Sequence, residues 1–431
     1  MQTVFIRPCI PWIMIARRRL LGAAAAGSAA VGLGAAARIR TDGLEETTPR
    51  SDTWPMARYD AANRGTNPDA TAPRDATVDW TIDATGSNGP GTGTGTSTFS
   101  LAVGPKRVYA TGAGVVAVAR SDGRPAWERS VAAGPIGLHD GTVYAAATGT
   151  EDAGLYALDA GDGAVAWRTT IPDHGNHLIV GADTVLFGAS HSVTAVGRDG
   201  EVHWQRATGS LEGGPAIDDG RVYVAAATVS RFARPTLLGA ALGERGQAAW
   251  ETEYVGHAAP PVVHDGDVLT VNQRYGGGRG GAAVAVAAAD GTPRWRALGL
   301  DDDDAGTYPA AFHGQLAVTG DRAVVPRNVY RQRGSGEPRP TETAVVALTR
   351  TDGAVDWRRT DVGTPLTVAG MADAVLAGGV TRDGTGRVAA IDWASGEVRW
   401  RVSVGERVAD LAAVDGTVFA LTTGGRLAAI R

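Results

Sequence analysis

Seven tryptophans, Trp127, Trp167, Trp204, Trp250, Trp295, Trp357 and Trp400, recur at spacings of 37 to 62 residues, and each closes the same phrase. The second copy runs Ala-Leu-Asp-Ala-Gly-Asp-Gly-Ala-Val-Ala-Trp from Ala157 to Trp167, and the seventh runs from Ala390 to Trp400. Six copies keep an alanine, a glycine six residues later and a tryptophan ten residues later; the copy at Ala195, Gly200 and Trp204 is one residue shorter. Self-similarity at such a period marks a repeat architecture, in which the chain grows by adding units rather than by enlarging one core. It therefore overrides the two or three domains that 431 residues would ordinarily imply.

The phrase encodes a hairpin. An apolar strand such as Val345–Leu348 meets a turn ending in Gly353, where a positive φ costs nothing, and a second strand carries Trp357. A buried indole needs a broad apolar contact and an acceptor for its N–H, and a neighbouring repeat can supply both. The small alanine on the preceding strand leaves room for the ring.

A second phrase, apolar strand, polar turn, apolar strand, lies between the tryptophans. Copies stand at Val103–Tyr109, Leu138–Tyr144, Val180–Leu186, Ile217–Tyr223 and Val263–Leu269, with three more around Gly320-Asp321, Met371-Ala372-Asp373 and Asp415-Gly416. Two hairpins per unit make a four-stranded propeller blade. The chain ends in Leu427–Ile430 with no tryptophan after it, and Val78-Asp79-Trp80 is a tryptophan strand with no partner before it. Pairing the two closes the ring and removes an exposed sheet edge. The sequence thus predicts an all-β, eight-bladed propeller of four-stranded antiparallel blades. Its N- and C-terminal strands pair, and Trp80 joins the other seven as a docking side chain. With 60 glycines and no collagen-like period, the composition fits short strands and many tight turns.

The N-terminus reads as an address. Arg17-Arg18-Arg19-Leu20-Leu21 precedes a small, weakly apolar run to Ala37, and no acid interrupts it. Basic residues, a short apolar stretch and an Ala35-Ala36-Ala37 exit make a secretory signal, and the paired arginines resemble the twin-arginine type. The expected organisation is a signal segment over 1–37, a polar linker over 38–53, an N-terminal extension over 54–76 and the propeller over 77–431. Met14 is an alternative start. The protein is expected to be exported, as a monomer, and to touch the membrane only through the signal segment if that is uncleaved.

Charge and cysteine content exclude several classes. The net charge is −5, and the first 40 residues hold six arginines and no acid, so the remainder is more acidic still. Such a chain has no general attraction to nucleic acid. Cys9 is the only cysteine and precedes the expected cleavage site, which excludes a disulfide, a thiolate metal site and a cysteine nucleophile from the mature chain.

The tryptophan phrases resemble the docking repeats of the pyrroloquinoline quinone (PQQ)-like propellers, whose pattern stands intact at Ala157–Trp167 and Ala390–Trp400. Trp54-Pro55-Met56-Ala57-Arg58-Tyr59-Asp60-Ala61-Ala62-Asn63-Arg64-Gly65 also resembles the segment that precedes the first blade in such proteins. The resemblance implies two fates: quinoprotein dehydrogenases, and non-enzymatic scaffolds such as the outer-membrane assembly propeller lipoprotein. The dehydrogenases stack the quinone on a ring of adjacent cysteines and hold Ca²⁺. The mature chain lacks that cysteine pair, which puts PQQ and Ca²⁺ in doubt here.

Other candidate chemistry reads as structure. His174 and His177 have ligand-like spacing, but no carboxylate or third histidine accompanies them, so they read as loop polarity. Asp301–Asp304 reads as a solvated run, since a calcium loop spaces its ligands around a tight glycine turn. His139 and His264 occupy equivalent inner-hairpin turns. No catalytic residue and no metal ligand is assigned.

One feature departs from a plain repeat. The loops joining second to third strands are long in blades four, five and six, and a propeller places them side by side. They carry Arg231, Phe232, Arg234, Arg274, Tyr275, Arg279, Arg327, Tyr330, Arg331 and Arg333. An arginine and aromatic patch on an acidic protein has the composition of an interaction face. The leading reading is a non-enzymatic envelope scaffold that recognises a protein or surface polymer through that face. Beside it stand a PQQ-dependent oxidoreductase of alcohols or sugars and a structural envelope protein.

Overall fold

A computed structural model describes residues 44, 46–84, 99–112, 114–131, 133–147, 153–171, 175–208, 210–227, 235–240, 250–253, 257–273, 282–297, 308–311, 316–330 and 340–431. The expected signal segment lies outside the described residues.

The described strands form eight hydrogen-bonded sheets. Seven take their four blade strands from one stretch of chain: blade 1 spans 101–129, blade 2 133–170, blade 3 175–207, blade 4 210–253, blade 5 257–297, blade 6 308–359 and blade 7 364–405. The remaining sheet is a composite of both ends of the propeller. Val408–Val414, Thr417–Thr422 and Arg426–Ile430 supply three strands, and Val78–Asp83 pairs antiparallel with the last of them, Val78 opposite Ile430 and Trp80 opposite Ala429. Innermost strands of successive sheets touch, with Asp267–Gln273 of blade 5 touching Tyr308–Ala311 of blade 6, and Val408–Val414 touches Leu101–Val103 to close the circuit.

The expected set of eight four-stranded antiparallel blades is corrected in its strand content. Three sheets hold five strands, and one pairing is parallel. In blade 5 the inner strand is broken into His257–Ala258 and Val262–His264 around Pro260-Pro261, which lack the N–H a continuous ladder needs. In blade 6 it is divided into Tyr308–Ala311 and Ala317–Thr319. In blade 7, Thr66–Asn67 adds in parallel beside Thr364–Met371.

Local chemistry explains the hairpins. At Asp140-Gly141, Asp219-Gly220 and Asp265-Gly266 both residues have positive φ, the signature of the two-residue turn whose twist matches its strands. Middle strands such as Thr184–Ala189 are buried throughout, while outer strands such as Val165–Thr170 alternate between exposed and half-buried residues. That pattern is expected of a blade covered on both faces near the centre and wetted at the rim.

Each outer-strand tryptophan faces a small residue across its hairpin: Ala117 opposite Trp127, Ala157 opposite Trp167, Ala347 opposite Trp357, and Gly239 opposite Trp250. The indole reaches the turn of the following blade. Trp127 Nε1 donates to the Ala160 carbonyl at 3.1 Å, Trp250 to Ala288 at 2.9 Å, Trp295 to Arg350 at 2.6 Å and Trp357 to Trp393 at 2.8 Å. The ring lies on the turn glycine: a Cβ at Gly163 would stand 2.6 Å from Trp127 Cε3, so no larger residue fits beneath it. The residue two places after the tryptophan ties to the same glycine, with Thr252 Oγ1 donating to the Gly291 carbonyl at 2.6 Å and Arg129 Nε to that of Gly163.

The composite sheet has no such turn, and the chain ends replace it. Trp400 Nε1 donates to the Pro73 carbonyl at 2.8 Å. On the other side of that sheet, Trp80 lies over Gly123, yet its Nε1 has no partner among the described residues. The Arg120 carbonyl, three residues before Gly123 as Ala160 is before Gly163, accepts instead from Arg431 Nη2 at 2.8 Å. Arg431 also pairs with Asp79.

The N-terminal extension forms a strap that crosses the inner strands in blade order. Trp54 and Val103 exchange hydrogen bonds at 2.8 and 2.7 Å in blade 1, and the Pro55 carbonyl accepts from Leu138 N in blade 2. The carbonyls of Ala61, Ala62, Arg64 and Gly65 accept from Ile217, Val263, Val318 and Gly370 in blades 4 to 7, and that of Thr71 accepts from Gly416 in the composite sheet. Two strap side chains reinforce the path. Asn63 Nδ2 donates to the Pro215 and Pro261 carbonyls at 2.9 and 3.0 Å, and Asn67 Nδ2 to that of Ala413 at 3.1 Å. Tyr59 and Asn63 hold positive φ, a conformation such contacts must fix.

Two outcomes are expected. Deleting residues 427–431 removes the strand that Val78–Asp83 pairs with and exposes sheet edges, so the protein aggregates or loses most of its melting temperature; melting like the full chain would refute the closure. Trp167→Ala removes a ring whose Nε1 donates to the Arg198 carbonyl at 2.6 Å. It should cost roughly 3–5 kcal/mol in denaturant unfolding, as for other core aromatics.

Candidate functional site

The strap forms the floor of a cavity of about 200 Å³ on the propeller axis. Its wall comes from inner strands of several blades, including Ser100, His177, Pro215, Leu366 and Asp410, and its floor carries Arg58 and Asn63. Prolines and aliphatic side chains make up much of the lining, so the few polar groups stand out.

Arg58 is 4% exposed. Nη1 donates to the Val368 carbonyl at 3.1 Å, while Nε and Nη2 have no partner among the described residues. Burial lowers its pKa to about 10, which leaves it cationic at neutral pH. The guanidinium lies directly against Gly65, where a side chain would collide with it. Asp410 accepts from the backbone N–H groups of Leu101 and Leu411, both at 2.9 Å, and burial pushes its pKa up to about 7. His177 lies on the strand Gly175–Val180 and is held neutral by burial, its pKa lowered to about 4. Its sequence reading as loop polarity is therefore corrected: the side chain faces the channel.

A second concavity, of about 850 Å³, opens between blades 6 and 7 on the face that carries the loops joining second to third strands. Its acids are already paired. Glu342 binds Arg327 at 2.9 Å and also Arg358, and Asp361 binds Arg401. Arg382, Arg387 and Arg407 also line the groove, and none has an ion pair or side-chain hydrogen bond among the described residues. The groove is therefore locally positive on an acidic protein.

The sequence-derived interaction face is only partly described. Arg231, Phe232, Arg234, Arg274, Tyr275, Arg279, Arg331 and Arg333 lie outside the described residues, as do Asp301–Asp304 and His174. Tyr330 ends the strand Arg322–Tyr330. Arg327 lies on that same strand, half-buried and paired with Glu342, rather than at a loop tip. His139 and His264 pair with their neighbours Asp140 and Asp265 at 3.0 and 3.4 Å, as turn residues. Sequence reasoning missed Arg58, Asp410, Arg382, Arg387 and Arg407. The one available signal was Asp410, a lone acid inside the apolar strand Val408–Val414.

The repeat pattern and the sheets agree with comparison to known proteins. A family model described as outer membrane protein assembly factor BamB, built on PQQ-like repeats, matches residues 112–189, 189–361 and 341–431. The chain belongs to this family. BamB from Moraxella catarrhalis is 15% identical over 83% of this chain and 98% of its own, with a TM-score of 0.54. Quinohemoprotein alcohol dehydrogenase from Comamonas testosteroni is 14% identical over 89% of this chain and 81% of its own, with a TM-score of 0.64. A europium-containing methanol dehydrogenase is 12% identical over 86% of this chain and 88% of its own, with a TM-score of 0.57. No curated protein matches. At these identities the likeness establishes the fold of this BamB-family chain and nothing about its ligand.

The channel does not fit PQQ with Ca²⁺. A cavity of about 200 Å³ is below the roughly 300–1,000 Å³ of sites for larger organic ligands. Both oxygens of Asp410 are committed to backbone N–H groups, and the described residues contain no cluster of three metal-binding side chains.

The Asp410 carboxyl makes stability depend on pH. Its folded pKa of about 7 lies above the unfolded value of about 3.9, so the folded state binds the extra proton between these values. The associated stability is present below about pH 4 and is lost as pH rises through 7. Asp410→Asn is expected to flatten the fall in melting temperature between pH 5 and 8 relative to wild type. An unchanged slope would refute the raised pKa.

Proposed function

We propose that this protein is a non-enzymatic binding scaffold of the cell envelope that holds an acidic protein segment or surface polymer on the loop face of its propeller. The observation that carries this reading is the groove between blades 6 and 7. Its carboxylates are neutralised internally, and Arg382, Arg387 and Arg407 are not. Unpaired guanidinium groups offer planar forks for carboxylates or phosphates, and arginine is enriched where interfaces carry their binding energy. Envelope location rests on the twin-arginine-like segment and on the family's description as an outer membrane assembly factor.

The test captures partners from envelope extract on immobilised protein, comparing wild type with the combined substitution of Arg382, Arg387 and Arg407 by serine. These side chains stabilise nothing visible in the fold, so the variant is expected to melt like wild type. It should lose the retained partner, and wild-type capture should weaken with added salt, since exposed charges are screened over about 8–10 Å at moderate ionic strength. Retention of the same partner by the variant, with the same salt response, would end this reading.

A further inference from the structure

Building on the groove between blades 6 and 7 as the binding face, we propose that its ligand is an anionic polysaccharide, a hydroxyl-rich chain bearing carboxylate or sulfate groups, rather than an acidic protein segment. Protein partners are held mainly by apolar and aromatic anchors seated in pockets, with charge at the rim. Val380 is the one aliphatic side chain among the described residues that line this groove, and no aromatic side chain is among them. The rest of the lining is guanidinium, hydroxyl, carboxylate and glycine backbone. Such a surface gives a peptide no anchor to bury, whereas a charged polysaccharide presents hydroxyls and anions and little else.

Two kinds of polar group fit such a chain. Arg382 and Arg407 are exposed and Arg387 is half-buried, and all three lack an ion pair among the described residues. Their planar forks match the oxygens of a carboxylate or of a tetrahedral anion. Two acids adjoin these arginines in the chain, and neither lines the groove. Asp383 accepts from Thr381 Oγ1 and from Thr385 N, at 3.2 Å for the latter, within its own turn. The Glu406 carboxylate lies against Gly424, in the place a Cβ there would take. Hydroxyls are the second kind. Thr360 and Thr364 line the groove from the connection entering blade 7, and neither hydroxyl has a partner among the described residues. Those of Thr343 and Thr381 already donate, to the carbonyls of Gly363 and Thr385, both at 2.9 Å. A hydroxyl that both donates and accepts is the natural partner of a sugar hydroxyl. At about 850 Å³ the groove lies near the upper end of the roughly 300–1,000 Å³ of ligand pockets, which suits a stretch of chain rather than a single ion.

The experiment titrates the full-length protein by calorimetry with polygalacturonate, dextran sulfate, neutral dextran and poly-glutamate. The first two separate carboxylate from sulfate as the preferred anion. Wild type should bind at least one of them about tenfold or more tighter than poly-glutamate of the same length, and should not bind dextran measurably. Thr360→Val combined with Thr364→Val removes two hydroxyls and no charge, and valine is at home in a strand. That variant should melt like wild type and weaken the polysaccharide about threefold or more while leaving poly-glutamate unchanged, a split that charge alone would not produce. Serine in place of Arg382, Arg387 and Arg407 together should abolish binding of every anionic chain. Poly-glutamate bound as tightly as both polysaccharides, and lost with the arginines, would overturn the polysaccharide and leave the groove as the binding face. No binding of either charged polysaccharide, or equal binding of dextran, would likewise overturn the ligand alone. Polysaccharide binding that survives the arginine substitutions would overturn the ligand and the groove together.

Discussion

Trp127, Trp167, Trp250, Trp295 and Trp357 each lie on the turn of the next blade, and this contact turns a row of hairpins into a ring. A four-stranded sheet cannot bury its own faces; it must lie against neighbours. The tryptophan gives that stacking a fixed register, because the ring needs a glycine beneath it and a carbonyl at hydrogen-bonding distance from Nε1. Gly163 with Ala160, Gly291 with Ala288 and Gly396 with Trp393 meet both demands. The contact is hardest to make at the seam, where one sheet is assembled from both ends of the propeller and lacks an outer turn. There Pro73 supplies the carbonyl for Trp400, and Arg431 takes the carbonyl that stands where Trp80 would find one.

The strap solves a different problem. Innermost strands of a propeller present unpaired backbone groups toward the axis, and some of these lie too deep for water to satisfy them freely. The carbonyls of residues 54–71 accept from those strands in turn around the ring. The same course places Arg58 and Asn63 on the axis, so the device that satisfies the backbone also decides what chemistry the channel contains.

Charge is distributed unevenly for the same geometric reason. Along the chain acids and arginines alternate without an obvious pattern, and many are neutralised locally, as in Arg399 with Asp373 and Asp392. Arg382, Arg387 and Arg407, which have no ion pair among the described residues, line the groove between blades 6 and 7. A propeller face is where such residues can stand out, because the loops that carry them are not required to pack.

The sequence by itself determined the blades. The alanine, glycine and tryptophan at constant spacing, and the aspartate-glycine turns between them, are local demands of hairpins, and local demands repeat visibly. It also marked the pairing of Val78–Trp80 with Leu427–Ile430, because each was a strand without a partner. Only the tertiary structure decided the broken inner strands of blades 5 and 6, the parallel strand at Thr66–Asn67, and the site. Arg58 and Asp410 are about 350 residues apart and meet only because the strap returns to the closing sheet. Arg382 and Arg407 looked like ordinary loop residues until their neighbours proved to be paired already. Repetition encodes the unit, whereas a site on the axis draws single residues from many units and leaves no periodic trace.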